Sequence, residues 1–216
     1  MKTGIVAVVQ ARIGSSRLPG KVLMSIAGKP MLQRVVERVQ VSNLIENIVL
    51  AIPYRSVVLA RLATRLGVNC YQGSESDVLD RYYQASEGYH TIVRITGDCP
   101  CIDPEIIDGC IQYFLIGGFD FVSNTLSYPD GMDVEVFTRV ALGRAWEETA
   151  NLYDREHVTP YLRGNPKMFK CGEFRHDVDL SHVKVSVDTF EDLKRVRRIY
   201  QRLGEFFTLA DLGSRN

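Results

Sequence analysis

The chain has 216 residues, of which 45% are hydrophobic and 24% charged, a composition that excludes a disordered or collagen-like protein. Lysine plus arginine and aspartate plus glutamate each total 26, and the resulting zero net charge disfavours general DNA or RNA binding, which usually needs a basic excess. No apolar run approaches the roughly 20 residues that a membrane-spanning helix needs, so no membrane partner is expected.

Short apolar, β-branched segments alternate with amphipathic segments in the first half of the chain. Strands are predicted at 4–10, 47–52, 68–72 and 91–96. Helices are predicted from Met31 to Val39, from Leu59 to Gly67, from Ser76 or Asp77 to Ser86, and from Asp103 to Leu115. Strands that alternate with helices of this length predict a parallel sheet covered by helices on both faces.

The second half is more mixed. Its predicted strands are 119–124, 133–138, 167–172 and 183–187, and its predicted helices are 139–150, 154–163 and 190–203. No internal repeat and no linker rich in Pro, Gly or Ser interrupts the chain. We therefore predict a single α/β domain over residues 1–216, with an irregular subregion in its second half.

The cysteines and the N-terminal residues bear on the cellular compartment. The five cysteines are scattered and odd in number, which is not the pattern of a disulfide framework. The N-terminal segment is too short for a signal peptide and has no small-residue cleavage site. We therefore predict a cytoplasmic protein whose cysteines are reduced and mostly buried.

A cationic loop, residues 12–21, directly follows the first predicted strand. Ligands of open parallel sheets bind at this end of the strands. Glycines let the backbone approach a ligand closely, and Ser15 and the backbone N–H groups can bind phosphate oxygens, so the loop is a candidate polyphosphate site. A solvated basic loop is the alternative, and the spacing is not that of a Walker A motif. The cations and glycines of the loop are Arg12, Gly14, Arg17, Gly20 and Lys21.

Two aspartates follow two other predicted strands. Asp98 lies in the loop after 91–96, and Asp188 follows 183–187. Mg²⁺ prefers one or two carboxylates together with phosphate oxygens, so both side chains are candidate Mg²⁺ ligands. The alternative is a capping role, for Asp98 in a turn or at the start of a helix and for Asp188 at the start of the last helix.

Three further features have open interpretations. Gly73 and Ser74 follow the third predicted strand and either contact a base or sugar or only cap the next helix. Asp133 and Glu135 would share one face of a strand, as sugar-binding groups or as a solvated edge. The four histidines lack metal-ligand spacing, and we interpret His157 as structural.

In this order, the motifs resemble the cytidylyltransferase family. The resemblance is to the type of spore-coat polysaccharide biosynthesis protein F, a relative of the acylneuraminate and 3-deoxy-manno-octulosonate cytidylyltransferases, and it covers nearly the whole chain. The Lys21-Val22 pair follows the spore-coat pattern, whereas relatives that activate 2-keto sugars carry Lys-Asn there. The motifs that carry the resemblance are residues 10–21, 73–82, 96–100, 130–135, 155–161 and 187–193.

The resemblance implies a nucleotide-diphospho-sugar transferase fold, a three-layer α/β/α sandwich with a mostly parallel mixed sheet. It also implies a Mg²⁺-dependent enzyme that moves CMP from CTP to a sugar acid or related acceptor and releases pyrophosphate, in surface polysaccharide or glycan precursor synthesis. A homodimer formed through residues near 154–164 is implied as well. The alternatives are a nucleotide-sugar-dependent glycosyltransferase of the same fold and a non-catalytic nucleotide-binding module.

The resemblance also implies roles for individual residues. Asp98 and Asp188 would hold Mg²⁺, and Asp98 would be catalytic together with Arg12 and Lys21. Asp133 and Glu135, in a stretch that the spore-coat type shares, are the expected acceptor-binding residues. The expected nucleotide-binding residues are Arg12, Gly14, Ser15, Arg17, Lys21, Gly73 and Ser74.

Overall fold

A mixed β-sheet forms the centre of the fold. The computed structural model describes residues 4–213, and within them seven strands make up this sheet. A two-stranded hairpin, β2 (Ser25–Ile26) and β3 (Lys29–Pro30), forms a separate small sheet. The strands of the sheet are β1 (Ile5–Gln10), β4 (Asn47–Pro53), β5 (Asn69–Gly73), β6 (Thr91–Thr96), β7 (Phe121–Ser123), β8 (Glu135–Thr138) and β9 (Cys171–Glu173).

The strand order is β5-β4-β1-β6-β8-β7-β9. β1 pairs in parallel with β4 and β6, β4 with β5, and β7 with β9, whereas β8 is antiparallel to β6 and β7. This arrangement confirms the predicted mostly parallel mixed sheet. From β1 the chain first builds β4 and β5 on one side and then crosses to β6 on the other. The carboxyl ends of β1 and β6 therefore flank the kind of crevice in which α/β proteins bind ligands.

Helices cover both faces of the sheet. Alternate residues of β1 enter two separate cores: Ala7 and Val9 pack on one face, and Val6 and Val8 on the other. All four are fully buried, as expected for a parallel strand covered on both sides. These layers confirm the predicted α/β/α sandwich. The helices are α1 (Met31–Val39), α2 (Val57–Leu66), α3 (Val78–Ala85), α4 (Pro104–Gly117), α5 (Arg139–Glu148), α6 (Leu152–His157), α7 (Pro160–Gly164), α8 (Phe190–Leu203) and α9 (Leu209–Gly213).

The predicted strand at 183–187 is wrong. The segment forms one isolated bridge, between Lys184 and Asp130, and otherwise bonds to loops. The N–H groups of Val185 and Ser186 donate to the Asp130 carbonyl, and Val187 N–H donates to the Asp98 carbonyl at 2.9 Å. Val185 and Val187 are buried because the segment crosses the carboxyl end of the sheet. Its apolar alternation thus reflects burial without strand pairing.

The predicted helix at 154–163 is interrupted, and the predicted strand at 167–172 is shorter and later, at β9. Val158 separates α6 from α7 with a φ of 74°, a left-handed value that is unfavourable for a β-branched residue. Thr159 N–H donates to the His157 carbonyl at 2.9 Å, which closes a γ-turn around the buried Val158. This tight turn fixes the direction of the backbone between His157, at the end of α6, and Thr159.

Two predictions from composition can be compared with the structure. All five cysteines lie in the described range and are free; Cys99, Cys101 and Cys110 are buried, whereas Cys70 is exposed and Cys171 half-buried. No helix within residues 4–213 has the length and apolar character needed to cross a membrane.

Candidate active site

A polar cleft of about 320 Å³ opens at the carboxyl ends of β1 and β6, and we call it the first cleft. Among the described residues, five cations and three carboxylates line it, which leaves an excess of positive charge suited to a polyanion. The expected meeting of the cationic loop with Asp98 and Asp188 is therefore present. These charged residues are Arg12, Arg17, Lys21, Arg81, Arg94, Asp98, Glu156 and Asp188.

Lys21 lies between the two aspartates. Gly20 adopts a left-handed φ of 71° and begins a short 3₁₀ turn, Lys21–Leu23, which directs Lys21 into the cleft. The Lys21 Nζ donates to Asp98 Oδ2 at 2.8 Å and to Asp188 Oδ1 at 3.1 Å. A third bond, at 2.8 Å, goes to the Val187 carbonyl. With its side chain only 10% exposed, Lys21 does not fit the alternative of a solvated basic loop.

Arg12 and Arg17 line the same cleft but are exposed. Arg17 forms an ion pair with Asp188 at 3.0 Å, and Arg12 lies 3.8 Å from Glu156 on α6. The buried side chain of Leu18 anchors the loop directly after Arg17. Both guanidinium groups are thus held near the cleft while their donors stay accessible to a ligand.

Other residues perform the capping roles that were the alternatives for Asp98 and Asp188. Asp103 caps α4 by accepting a hydrogen bond from Glu105 N–H. Thr189 caps α8 in a reciprocal capping box with Asp192. Partial burial raises the pKa of Asp188, but hydrogen bonds from Lys184 and Lys21 outweigh that effect and lower the pKa below its usual value. Asp188 is therefore a carboxylate at neutral pH.

The donor set of the first cleft fits a Mg²⁺ ion that arrives with phosphates. Asp98 and Asp188 both lie within 3.1 Å of one atom, the Lys21 Nζ, so their carboxylates are close enough to share an ion. Residues 4–213 contain no group of three or more His, Cys, Asp or Glu side chains that could hold a metal by themselves. Two carboxylates completed by phosphate oxygens are a usual Mg²⁺ environment.

The other predicted nucleotide-binding residues are placed differently. Ser15 lines the first cleft, whereas Gly14 is exposed and does not line it; an added Cβ at Gly14 would be 3.2 Å from Glu75 Oε1. Within the described chain, Gly73 and Ser74 do not line the cleft.

The Ser74 side chain supports the start of α3 but does not cap it. Its Oγ accepts a hydrogen bond from the N–H of Asp77, and Asp77 is the N-cap residue, whose side chain accepts from Asp80 N–H. The Ser74 carbonyl accepts a bond from Arg81 Nη1 at 3.0 Å. This loop therefore supports Arg81, which does line the cleft, and a direct contact of Gly73 or Ser74 with a base stays a prediction.

A second cleft, of about 500 Å³, adjoins the first and shares Arg94 and His157 with it. Glu135 lies at its base with a side chain only 3% exposed. Its Oε2 pairs with Arg94 at 2.6 Å, and its Oε1 accepts bonds from Thr159 and from Arg163. The solvated-edge interpretation of Glu135 is therefore wrong, and so is the shared strand face, because β8 begins at Glu135 and Asp133 precedes it.

Asp133 is partly buried beside the Gly131 turn. Its Oδ2 accepts a hydrogen bond from Gly131 N–H at 3.3 Å. Burial raises the pKa of the Asp133 carboxyl from 3.8 to about 6, and the nearby Asp130 and Glu135 add to the increase. Ionised Asp133 is consequently less stable in the folded protein than in the unfolded chain.

We expect Asp133→Asn to stabilise the protein at neutral pH by about 2 kcal/mol. Since folding raises the pKa of Asp133, the wild type loses stability as the pH rises from about 4 to about 6, and the loss is constant above that. The asparagine lacks this titration and keeps an acceptor for Gly131 N–H. Urea unfolding of both proteins across this pH range measures the difference, and a difference independent of pH would contradict the prediction.

Sequence reasoning missed several residues that line the two clefts. Arg94 is the one charged residue in the largely apolar strand β6, and this was the sequence signal that could have identified it. Arg81 lies on α3 and is fully buried. The sequence alone does not distinguish a buried arginine on a helix from an exposed one. His157, interpreted as structural, is exposed at the boundary of both clefts, with its ring 4.4 Å from that of Tyr153.

Comparison with known families agrees with this geometry. The model of the family described as Cytidylyltransferase matches residues 6–205. The chain belongs to the cytidylyltransferase family. It is therefore a nucleotidyltransferase enzyme, and the resemblance expected from the motifs is confirmed.

Two relatives of this cytidylyltransferase-family chain and one solved structure with the same fold show how far the likeness extends. Spore coat polysaccharide biosynthesis protein SpsF of Bacillus subtilis is 31% identical, over 93% of this chain and 88% of the relative. A cytidylyltransferase of Leptospira borgpetersenii is 32% identical, with a TM-score of 0.92 over 96% of this chain and 91% of that one. CMP:2-keto-3-deoxy-manno-octonic acid synthetase complexed with CTP is 20% identical, with a TM-score of 0.71 over 92% and 99%, and shares the fold.

Proposed function

We propose that the protein moves CMP from CTP to a sugar acid or a related anionic acceptor and releases pyrophosphate. The observation that carries this proposal is the contact between the two clefts. A cation-rich cleft with two adjacent carboxylates shares Arg94 and His157 with a second cleft, so two substrates can meet there. The solved relative that holds CTP and the polysaccharide role named for SpsF support the nucleotide and the class of pathway.

In this proposal the first cleft binds the triphosphate. A hydroxyl or phosphate oxygen of the acceptor attacks the α-phosphorus and a new P–O bond forms. A hydroxyl gives up its proton to solvent in this step, and the bond from the α-phosphorus to the bridging oxygen of the β-phosphate breaks, so that pyrophosphate leaves. Arg12, Arg17 and Lys21 stabilise the negative charge that builds on the departing pyrophosphate. Such transfers depend on positioning and charge stabilisation more than on covalent help from the protein.

Asp98 and Asp188 are the proposed ligands of Mg²⁺. When bound, Mg²⁺ would supply charge neutralisation at the phosphate oxygens. The contribution of the protein is the placement of two carboxylates from separate loops, which the hydrogen bond from Val187 N–H to the Asp98 carbonyl holds together. Magnesium dependence is part of the proposal.

The second cleft is the proposed acceptor site. Glu135 is already bonded by Arg94, Arg163 and Thr159, so it acts by orienting the two arginines and not by binding sugar hydroxyls itself. Arg163 is exposed and presents its guanidinium to the cleft, where a carboxylate of the acceptor suits it. Asp133 lies nearby, and its contact with the acceptor stays a prediction.

Pyrophosphate release tests the proposal. The protein is incubated with Mg²⁺ and CTP, UTP, ATP or GTP, and with a panel of acidic sugars and phosphorylated polyols. We expect release with CTP and at least one anionic acceptor. Transfer from a UDP- or GDP-sugar without pyrophosphate release would instead indicate a glycosyltransferase. Thermal stabilisation by nucleotide without any product would indicate a non-catalytic binding module.

The assembly and the cellular location also stay predictions. Leu152 and Tyr153, which adjoin the proposed dimer segment 154–164, are exposed apolar side chains and support a homodimer through this part of the surface. A single domain and a cytoplasmic location are consistent with this function, since CTP is an intracellular metabolite.

A further inference from the structure

The ammonium group of Lys21 makes as many hydrogen bonds as it has hydrogens. Its three acceptors are one oxygen of Asp98, one oxygen of Asp188 and the Val187 carbonyl, all within 3.1 Å. The two carboxylates come from loops that are distant in the chain, and Lys21 neutralises the repulsion between them. Lys21 thus already performs the electrostatic task of a cation shared by both aspartates.

Asp188 is surrounded by positive charge. Its Oδ1 contacts Lys21 at 3.1 Å and Arg17 at 3.0 Å, and its Oδ2 contacts Lys184 at 3.0 Å. A divalent ion held between the two aspartates would compete with Lys21 for their negative charge, and it would be repelled by the ammonium group beside it. Lys21 and a divalent ion are therefore competitors for the same carboxylates.

We propose that Lys21 is a placeholder cation, which holds Asp98 and Asp188 together until a divalent ion and the nucleotide replace it as a set. This inference rests on the proposed function. The phosphates that accompany the ion provide new acceptors for the displaced ammonium group, so metal binding and nucleotide binding are coupled. Without nucleotide, the wild-type protein therefore has a low affinity for a divalent ion at these carboxylates.

The exchange needs only side-chain motion. Leu18 is buried and Gly20 fixes the turn, so the backbone on the N-terminal side of Lys21 is anchored. The ammonium group ends a flexible four-carbon chain that lines the first cleft. Arg17, the second cation on Asp188 Oδ1, is exposed and free to follow the phosphates.

Mn²⁺ binding to the nucleotide-free protein tests the proposal, with free Mn²⁺ measured by electron paramagnetic resonance. We expect Lys21→Met to bind Mn²⁺ at least about tenfold more tightly than the wild type, because the competing charged hydrogen bonds are gone. Lys29→Met is the matched control. Lys29 also bridges two carboxylates, Glu37 at 3.0 Å and Glu205 at 3.2 Å, but it lies outside both clefts. The control should bind Mn²⁺ like the wild type.

Lys21→Gln is the second variant, and it serves if the methionine variant fails to fold. It keeps a donor for the Val187 carbonyl but lacks the charge, so we expect the same gain in Mn²⁺ affinity. We also expect Mn²⁺ to raise the melting temperature of the folded variant more than that of the wild type. Equal or weaker Mn²⁺ binding by the folded variant would overturn the proposal.

No nucleotide or acceptor is present in these titrations. If the wild type releases no pyrophosphate but the Lys21 variants bind Mn²⁺ more tightly, the placeholder proposal stands and the proposed function is overturned. If the wild type is active but the variants bind Mn²⁺ no more tightly, the proposed function stands and the placeholder proposal is overturned.

Discussion

Asp98→Asn is expected to lower the rate of pyrophosphate release at least about a hundredfold while the fold is retained. Asparagine has nearly the shape of aspartate but no charge, so it weakens both the contact with Lys21 and the proposed contact with Mg²⁺. The Asp98 side chain is part-exposed, and its short hydrogen bond is the one to Lys21. Loss of that bond should cost only about 1–2 kcal/mol of stability. Steady-state kinetics with CTP and urea unfolding measure the two effects separately.

Asp179→Asn is the control for this variant. The Asp179 side chain accepts a hydrogen bond from Ser181 N–H in an exposed loop and lies outside both clefts. Its substitution should leave the rate of pyrophosphate release unchanged. Wild-type turnover by Asp98→Asn would show that the first cleft does not use this carboxylate. A large loss of stability would instead assign Asp98 a structural role.

Glu135→Leu is expected to destabilise the fold by about 3–5 kcal/mol. Burial alone raises the pKa of Glu135, but Arg94 and Arg163 outweigh that effect and lower the pKa, so the residue is a carboxylate at neutral pH. Leucine would leave Arg94, which is largely buried, without its counter-ion. It would also leave the Thr159 hydroxyl without its acceptor. Urea unfolding at neutral pH measures the loss.

The double variant Arg94→Met with Glu135→Leu separates charge from packing. If the cost of the single substitution comes from the unpaired arginine, the double variant should recover a large part of the lost stability, because it buries no unpaired charge. Similar stability of the double and single variants would assign the cost to lost packing. A single-variant cost below about 1 kcal/mol would show that the ion pairs contribute little.

The sequence identified the sheet and the position of the first cleft through local rules. β1, β4 and β6 are runs of buried β-branched residues, and polar residues follow β1 and β6 where the strands end. Strand ends in a parallel sheet face the same edge, so Arg12 and Asp98 were predictable neighbours. Asp188 was predicted at the same place for a partly wrong reason, because its neighbours pair with loops and not with a strand.

The second cleft could not be predicted in the same way. It depends on which side chains become buried partners over long sequence separations, such as Arg94 with Glu135. Glu135 looked like an exposed sugar-binding group because alternation along a strand does not say whether a carboxylate meets an arginine. The left-handed Val158 that separates α6 from α7 is equally invisible, since propensity disfavours that conformation for valine.

The hydrogen bond between Val187 N–H and the Asp98 carbonyl bears on the order in which the protein folds during translation. Lys21 and Asp188 are 167 positions apart in the chain, so the ion site depends on contacts of long sequence separation. Such contacts form only after most of the chain is available. A nascent polypeptide can pair β1, β4 and β6 while residue 188 is still inside the ribosome. Chemical competence is thus among the last properties that the growing polypeptide acquires.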